Sequence, residues 1–256
     1  MRAVSIQLEI KDRPKEKSLE HVLRLIDRAP KGDLILLPEI WSCGYFSFDR
    51  YRAESEALNG LTVATLQKKA SELKCHILMG SIVEREGKNL FNTSILLNPQ
   101  GEIIARYRKI HLFGYESDER KLLKPGKEIV VADTPWGRAG ISTCYDLRFP
   151  ELYRKMIDRG ATFFLIPSAW PISRLEAWTL FNRVRAHENL AYVLSCNCAG
   201  VSRGFKFAGH SMFVDPLGAV IAEGGEGECI VSAELDMDLV ALVRREFSAL
   251  DDRVIK

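Results

Sequence analysis

The chain has 256 residues, 46% of them hydrophobic and 27% charged, with 36 basic against 34 acidic side chains for a formal charge of +2. That balance suits a soluble globular protein with a sizeable core, and without a long basic run or a basic stripe interleaved with aromatics it argues against a nucleic-acid partner. Six cysteines at positions 43, 75, 144, 196, 198 and 229 follow no disulfide spacing, Met1 leads straight into a strand-like segment, and no apolar run approaches the ~18 residues of a membrane span, so a reduced, cytoplasmic protein is expected.

Ala3 to Leu8 reads as a strand, and Pro14 to Arg28 as a helix with Leu19, Val22, Leu23 and Ile26 on one face. Asp33 to Pro38 is a short apolar run without alternation, the pattern of a strand buried on both faces, and Glu39 stands at its end. Leu61 to Leu73 is a helix, followed by strands at His76 to Val83 and Asn92 to Leu97. The turn Asn98-Pro99-Gln100-Gly101 returns the chain into a strand from Glu102 to Tyr107, which ends beside Lys109. A loop from Phe113 to Lys127 precedes strands at Ile129 to Ala132 and Ala139 to Cys144, and Pro150 opens a helix at Glu151. A strand from Thr162 to Ile166, a helix from Arg174 to Asn189, a strand from Tyr192 to Cys198 and a hairpin at Asp215 to Gly218 complete the pattern. The two hairpin segments around Asn98 and Asp215 are similar and suggest two like halves. With alternating strands and helices and no linker, residues 1–256 read as one domain of two mixed sheets packed face to face with helices outside.

Glu39, Lys109 and Cys144 each follow a strand. Together they make a nucleophilic set: a carboxylate to deprotonate a thiol, a thiolate to attack a carbonyl or nitrile carbon, and an ammonium to stabilise the oxyanion. Singly, each has a plainer reading as a cap, a surface charge or a core cysteine. A serine-hydrolase-like elbow wants glycines two residues either side of the nucleophile, where Ser142 and Asp146 stand, and the scattered histidines offer no papain-like pair. Cys196 and Cys198, two apart on a strand, share a face and read as core because no second pair completes a zinc set. Arg148 and Glu151 read as a pair that fixes the loop.

L-P-E at 37 to 39, Y-R-K-I-H at 107 to 111 and C-Y-D-L-R-F-P-E-L at 144 to 152 resemble the three signatures of the nitrilase, or carbon-nitrogen hydrolase, superfamily in type, order and interval. The resemblance implies an α/β fold, the four-layer αββα sandwich, with Glu39, Lys109 and Cys144 as a catalytic triad and the backbone N–H of Tyr145 as an oxyanion donor. It also implies a second glutamate before a Pro-Gly pair, which falls on Glu119 beside its acidic neighbours Glu116 and Asp118. A small amide would be the substrate, no metal or organic cofactor would be required, and a homodimer would be built from the helix after Cys144 and the tail Val240 to Lys256.

S-A-W-P-I-S-R at 168 to 174, W-x-x-L-x-x-x-R-A-x-E-N across 178 to 189 and R-R-E-F-S-A-L-D-D-R at 244 to 253 resemble the bacterial omega-amidase branch, which deamidates 2-oxo acids carrying a terminal amide. The strand Thr162 to Ile166 should deliver Arg174 to the nucleophile's sheet edge, where its guanidinium suits a substrate carboxylate, with Trp170 and Tyr45 walling the carbon chain. Deaminated-glutathione, N-carbamoyl and aliphatic amidases are the alternatives within the family. A non-catalytic binding or scaffold protein on the same fold is the alternative outside it.

Overall fold

The computed structural model describes residues 1–255. The first strand, β1 (Arg2–Gln7), is followed by helix α1 (Lys15–Arg28), whose face of Leu19, Val22 and Ile26 is buried as its spacing requires. Next come β2 (Leu34–Leu36), α2 (Tyr51–Glu54), α3 (Leu61–Leu73), β3 (His76–Glu86), β4 (Asn89–Leu97) and β5 (Ile103–Arg108). The stretch expected to be a plain loop holds a short helix, α4 (Glu119–Leu122), and then come β6 (Val130–Thr134), β7 (Gly137–Ile141), α5 (Pro150–Asp158) and β8 (Ala161–Ser168). The next helix, α6 (Leu175–Asn189), begins one residue later than expected, after a 3-10 turn over Ile172–Arg174. The chain ends with β9 (Tyr192–Asn197), a small ribbon of β10 (Val201–Ser202) and β11 (Phe205–Lys206), β12 (Met212–Val214), β13 (Val220–Glu223), β14 (Cys229–Glu234) and α7 (Asp238–Glu246).

One sheet runs β14-β1-β2-β3-β4-β5 and the other β13-β12-β9-β8-β7-β6. Strand directions match position for position: an antiparallel edge strand (β14 or β6), three parallel strands (β1-β2-β3 or β7-β8-β9), then an antiparallel meander (β4-β5 or β12-β13). The two halves hinted at by the Asn98 and Asp215 turns are therefore real in topology, and each turn closes the same hairpin of its own sheet.

The sheets face each other across Ala3, Leu34, Leu36, Leu78 and Tyr107 on one side and Ile141, Phe163, Leu165, Leu194 and Phe213 on the other. Helices α1 and α3 cover the outer face of the first sheet, and α5 and α6 that of the second, which gives the expected αββα order. Cys196 lies between the sheets, its thiol donating to the carbonyls of Ile6 and Leu36 at 3.3 and 3.4 Å. Cys198 is buried too, but the strand ends at Asn197, so it packs in a different cluster, beneath the Glu39 carbonyl, rather than sharing Cys196's face. Because β2, β5, β7 and β8 point the same way within their sheets, their carboxyl ends collect at one edge, where chemistry in such folds is placed.

Candidate active site

Glu39 leaves β2 over a close backbone crossing. Gly80 of β3, at φ +69°, lies so near Pro38 that a Cβ there would stand 1.9 Å from the Pro38 carbonyl oxygen. Only glycine fits that position. The Glu39 N–H then bonds the Ser168 carbonyl of β8 at 3.3 Å, tying the two sheet ends together. Lys109 follows β5 directly, its N–H held by the Asn92 carbonyl at 2.8 Å and its carbonyl by the Gly126 N–H at 2.9 Å.

Cys144 opens the turn after β7 at φ +48°. A left-handed non-glycine residue costs on the order of 1–2 kcal/mol, so the surroundings must hold it there. The strained turn whose flanking glycines are missing from the sequence is present all the same. Asp146 supplies the restraint: its buried carboxylate accepts the Thr143 N–H at 2.9 Å, the Tyr107 hydroxyl at 2.6 Å, the His111 N–H at 3.0 Å and lies 2.7 Å from His111 Nδ1. One carboxylate thus fastens the cysteine turn to the segment that carries Lys109.

The charged centre is fully buried. Lys109 Nζ donates to Glu39 Oε1 at 2.8 Å and to both oxygens of Glu119 at 3.0 Å. Asn92 donates one amide hydrogen to Glu39 Oε1 at 2.7 Å and the other to Glu119 Oε1 at 2.9 Å. Glu119 Oε2 also accepts the Tyr45 hydroxyl at 3.1 Å and the Phe113 N–H at 2.7 Å. Glu119 is thereby saturated with donors, whereas Glu39 Oε2 accepts the Ala169 N–H at 2.9 Å and, among the described residues, no second N–H donor, which leaves a lone pair for the Cys144 thiol.

Burial pushes the Glu39 carboxyl above its ordinary range, with Lys109 opposing and Glu119 reinforcing the rise. Burial pulls the Lys109 ammonium down, but Glu119 and Glu39 outweigh it and leave it well above the usual lysine value. The Cys144 thiol is raised by burial and by Glu39, against Lys109. Two carboxylates beside one ammonium disfavour a second anion, and with burial they keep the Cys144 thiol in its protonated form.

Cys144 opens onto a narrow cleft lined by Tyr45, Phe46, Phe113, Tyr145, Arg148, Ala169, Trp170, Pro171 and Arg174. The expected site residues Tyr45, Trp170, Arg174 and Tyr145 therefore line one cleft with Cys144, and Glu39, Lys109 and Glu119 are buried together in the charged centre. Trp170 is fixed by its indole N–H to the Arg174 carbonyl at 2.8 Å. Arg148 does not pair with Glu151. Proline at the start of α5 turns Glu151 out to solvent, and the guanidinium lies instead over the rings of Trp170 and Phe181 at 5.2 and 5.1 Å. Among the described residues no group of three or more His, Cys, Asp or Glu is arranged to hold a metal ion.

Asn92, Tyr107, His111 and Asp146 were not singled out from sequence. The last three lie within the motifs, and their signal was polarity in segments about to be buried. Asn92, Thr93 and Ser94 form a wholly buried polar run in the middle of β4, a sign that this strand passes a polar centre.

A family model described as carbon-nitrogen hydrolase matches residues 2–245. The chain is 37% identical over 246 residues to a 2-oxoglutaramate amidase of Paenarthrobacter nicotinovorans, covering 93% of this chain and 84% of that protein. It is 32% identical over 256 residues to an omega-amidase of Homo sapiens, covering 96% and 92%. A crystal structure of Saccharomyces cerevisiae Nit3, described as a member of branch 10 of the nitrilase superfamily, matches with a TM-score of 0.88 at 33% identity, over 96% of this chain and 94% of that one.

Proposed function

This chain belongs to the carbon-nitrogen hydrolase family and is an amidase acting on non-peptide C–N bonds, from which we propose that it cleaves the terminal amide of a 2-oxo acid, an omega-amidase reaction, through a thioester on Cys144. A non-catalytic scaffold role is set aside by that family membership. The observation that carries the substrate reading is Arg174. It lines the cleft that contains Cys144, stands over the rings of Phe113 and Tyr115 at 5.0 and 5.2 Å, and meets no carboxylate among the described residues. A guanidinium held in place but left without an anion suits the carboxylate at the far end of the substrate.

In the reaction proposed, Glu39 Oε2 takes the Cys144 proton as sulfur attacks the amide carbon. The oxyanion is stabilised by Lys109 and by the Tyr145 N–H, a first-turn donor that has no acceptor within its own turn. Collapse expels ammonia, which carries the proton returned by Glu39, and leaves a thioester. Water then attacks the thioester carbon while Glu39 takes its proton. The second tetrahedral species collapses to release the carboxylate product, and the proton returns to sulfur. Glu119 and Asn92 touch no reacting atom in this scheme; they hold Lys109 and Glu39 in place.

The test is Arg174→Ala with ammonia release as the readout. KM for 2-oxoglutaramate should rise by at least about tenfold, the loss expected for one charge-assisted contact, and by far more than KM for butyramide. Equal rises would show that Arg174 does not read a carboxylate. We place the activity in one domain spanning the chain and in a homodimer. Phe247 is 58% exposed, and Val254 and Ile255 are 94% and 93% exposed at the end of the tail. Val240 and Val243 of α7 are buried in their own subunit, which leaves Leu242, the residues beyond α7 and the helix after Cys144 for the dimer contact we propose. The six free thiols support a cytoplasmic setting.

A further inference from the structure

Two arginines line the cleft, and only one is needed for a terminal carboxylate. Arg148 follows Cys144 by four residues on the same turn, while Arg174 stands just before α6. Their depths differ. Arg148 lies over Trp170, which is 3% exposed, whereas Arg174 lies over Phe113 and Tyr115, the latter 63% exposed. Both arginines are half-buried; we take Arg148, on the turn that carries Cys144 and over a buried ring, as the cation nearer the thiol, and Arg174 as the one nearer the rim. Neither side chain donates a hydrogen bond or meets a carboxylate among the described residues. Nearby Arg185 shows what a structural arginine looks like here: it donates to the Leu147 carbonyl at 3.0 Å and to Glu188 at 2.7 Å.

A linear substrate with its amide carbon at Cys144 and its carboxylate at Arg174 lies along a cleft whose other arginine is Arg148. We propose that Arg148 selects the 2-substituent: while Arg174 holds the carboxylate, Arg148 receives the oxygen of a 2-oxo acid and repels the 2-ammonium of the matching amino acid. This rests on the function proposed above and adds a residue that would make the cleft refuse an amino acid with the same terminal amide. A 2-oxo oxygen accepts a charge-assisted hydrogen bond from the guanidinium, a methylene offers nothing, and an ammonium brings a like charge into a cleft with apolar walls.

The experiment compares three five-carbon monoamides: 2-oxoglutaramate, the monoamide of glutaric acid, and glutamine. Ammonia release is measured with the unmodified enzyme, Arg148→Gln, Arg148→Lys and Arg174→Gln. Arg148→Gln should lower the ratio of kcat/KM for the 2-oxo compound over the unsubstituted one by at least about tenfold and raise glutamine relative to the unsubstituted one. Arg148→Lys should keep the rejection of glutamine, which needs only charge, while losing part of the 2-oxo preference. Arg174→Gln should weaken all three alike, leaving the ratios in place. Calorimetry on Cys144→Ala, with and without Arg148→Gln, gives a second readout as the ratio of affinities for 2-oxoglutarate and glutarate. Ratios that survive Arg148→Gln, or that fall equally in Arg174→Gln, would overturn the role of Arg148 alone. An unmodified enzyme with no preference for these carboxylates over butyramide would instead overturn the function on which the inference rests.

Discussion

Replacing Glu119 by glutamine keeps the shape of the side chain and removes one charge from the buried centre. In either orientation the new amide NH₂ turns toward groups that are themselves donors: Asn92 and Lys109 on one side, or Tyr45, the Phe113 N–H and Lys109 on the other. Breaking a buried ion pair costs about 3–5 kcal/mol when the remaining charge is stranded. Lys109 keeps Glu39 at 2.8 Å, so the lower end, about 3 kcal/mol, is the expected loss of stability. For a chain of this size that corresponds to a fall in Tm of roughly 6–12 °C. The kinetic signature is more specific. Glu119 raises the Glu39 pKa by like-charge repulsion, so its neutralisation lets Glu39 ionise at lower pH. Glu39 must be ionised to accept the thiol proton, and activity is lost as pH falls through its pKa; the acid limb of kcat/KM should therefore move down, not up. With Lys109 less well fixed, kcat should fall by about 10²-fold with little change in KM. Ammonia release followed across about pH 4 to 9, with thermal unfolding alongside, measures all of this. An acid limb that stays still or moves up, or a kcat unchanged in a folded variant, would refute the positioning role proposed for Glu119.

Cys144→Ala should leave a folded protein without detectable turnover, since it deletes the covalent route and little core volume; retained amidase activity would remove Cys144 from the mechanism. Gly80→Ala should be destabilised by several kcal/mol or fail to accumulate, because a Cβ 1.9 Å from the Pro38 oxygen displaces the segment that carries Glu39. Circular dichroism with a native-like melt would contradict that account. Light scattering at micromolar concentration should give at least twice the 28.9 kDa subunit mass, and a single-subunit species would contradict the proposed dimer.

The sequence alone determined the scaffold and pointed to the candidate reactive groups. Apolar runs such as Leu34–Leu36 and Phe163–Ile166 carry no alternation, and a strand of that kind is stable only when covered on both faces; this calls for layered sheets with helices outside. Glu39 and Cys144 were legible because each follows an apolar run at a break in its pattern, and Lys109 because it follows the alternating strand β5, all within motifs resembling one family. Cys144's conformation was not legible: nothing in S-T-C-Y-D announces φ +48°, since the strain is held by Asp146 through partners as far away as Tyr107. Only the tertiary structure decided how the two carboxylates differ. Glu39 and Glu119 are alike in sequence, and their roles separate by how many donors reach each oxygen, which depends on β4 bringing Asn92 between them. The same holds for Arg148, where a local i to i+3 rule favoured Glu151 and the aromatic faces of Trp170 and Phe181, brought in from β8 and α6, prevailed. Local spacing governs contacts along one element. Contacts between elements follow from packing, and the charged centre of this protein consists almost entirely of the second kind.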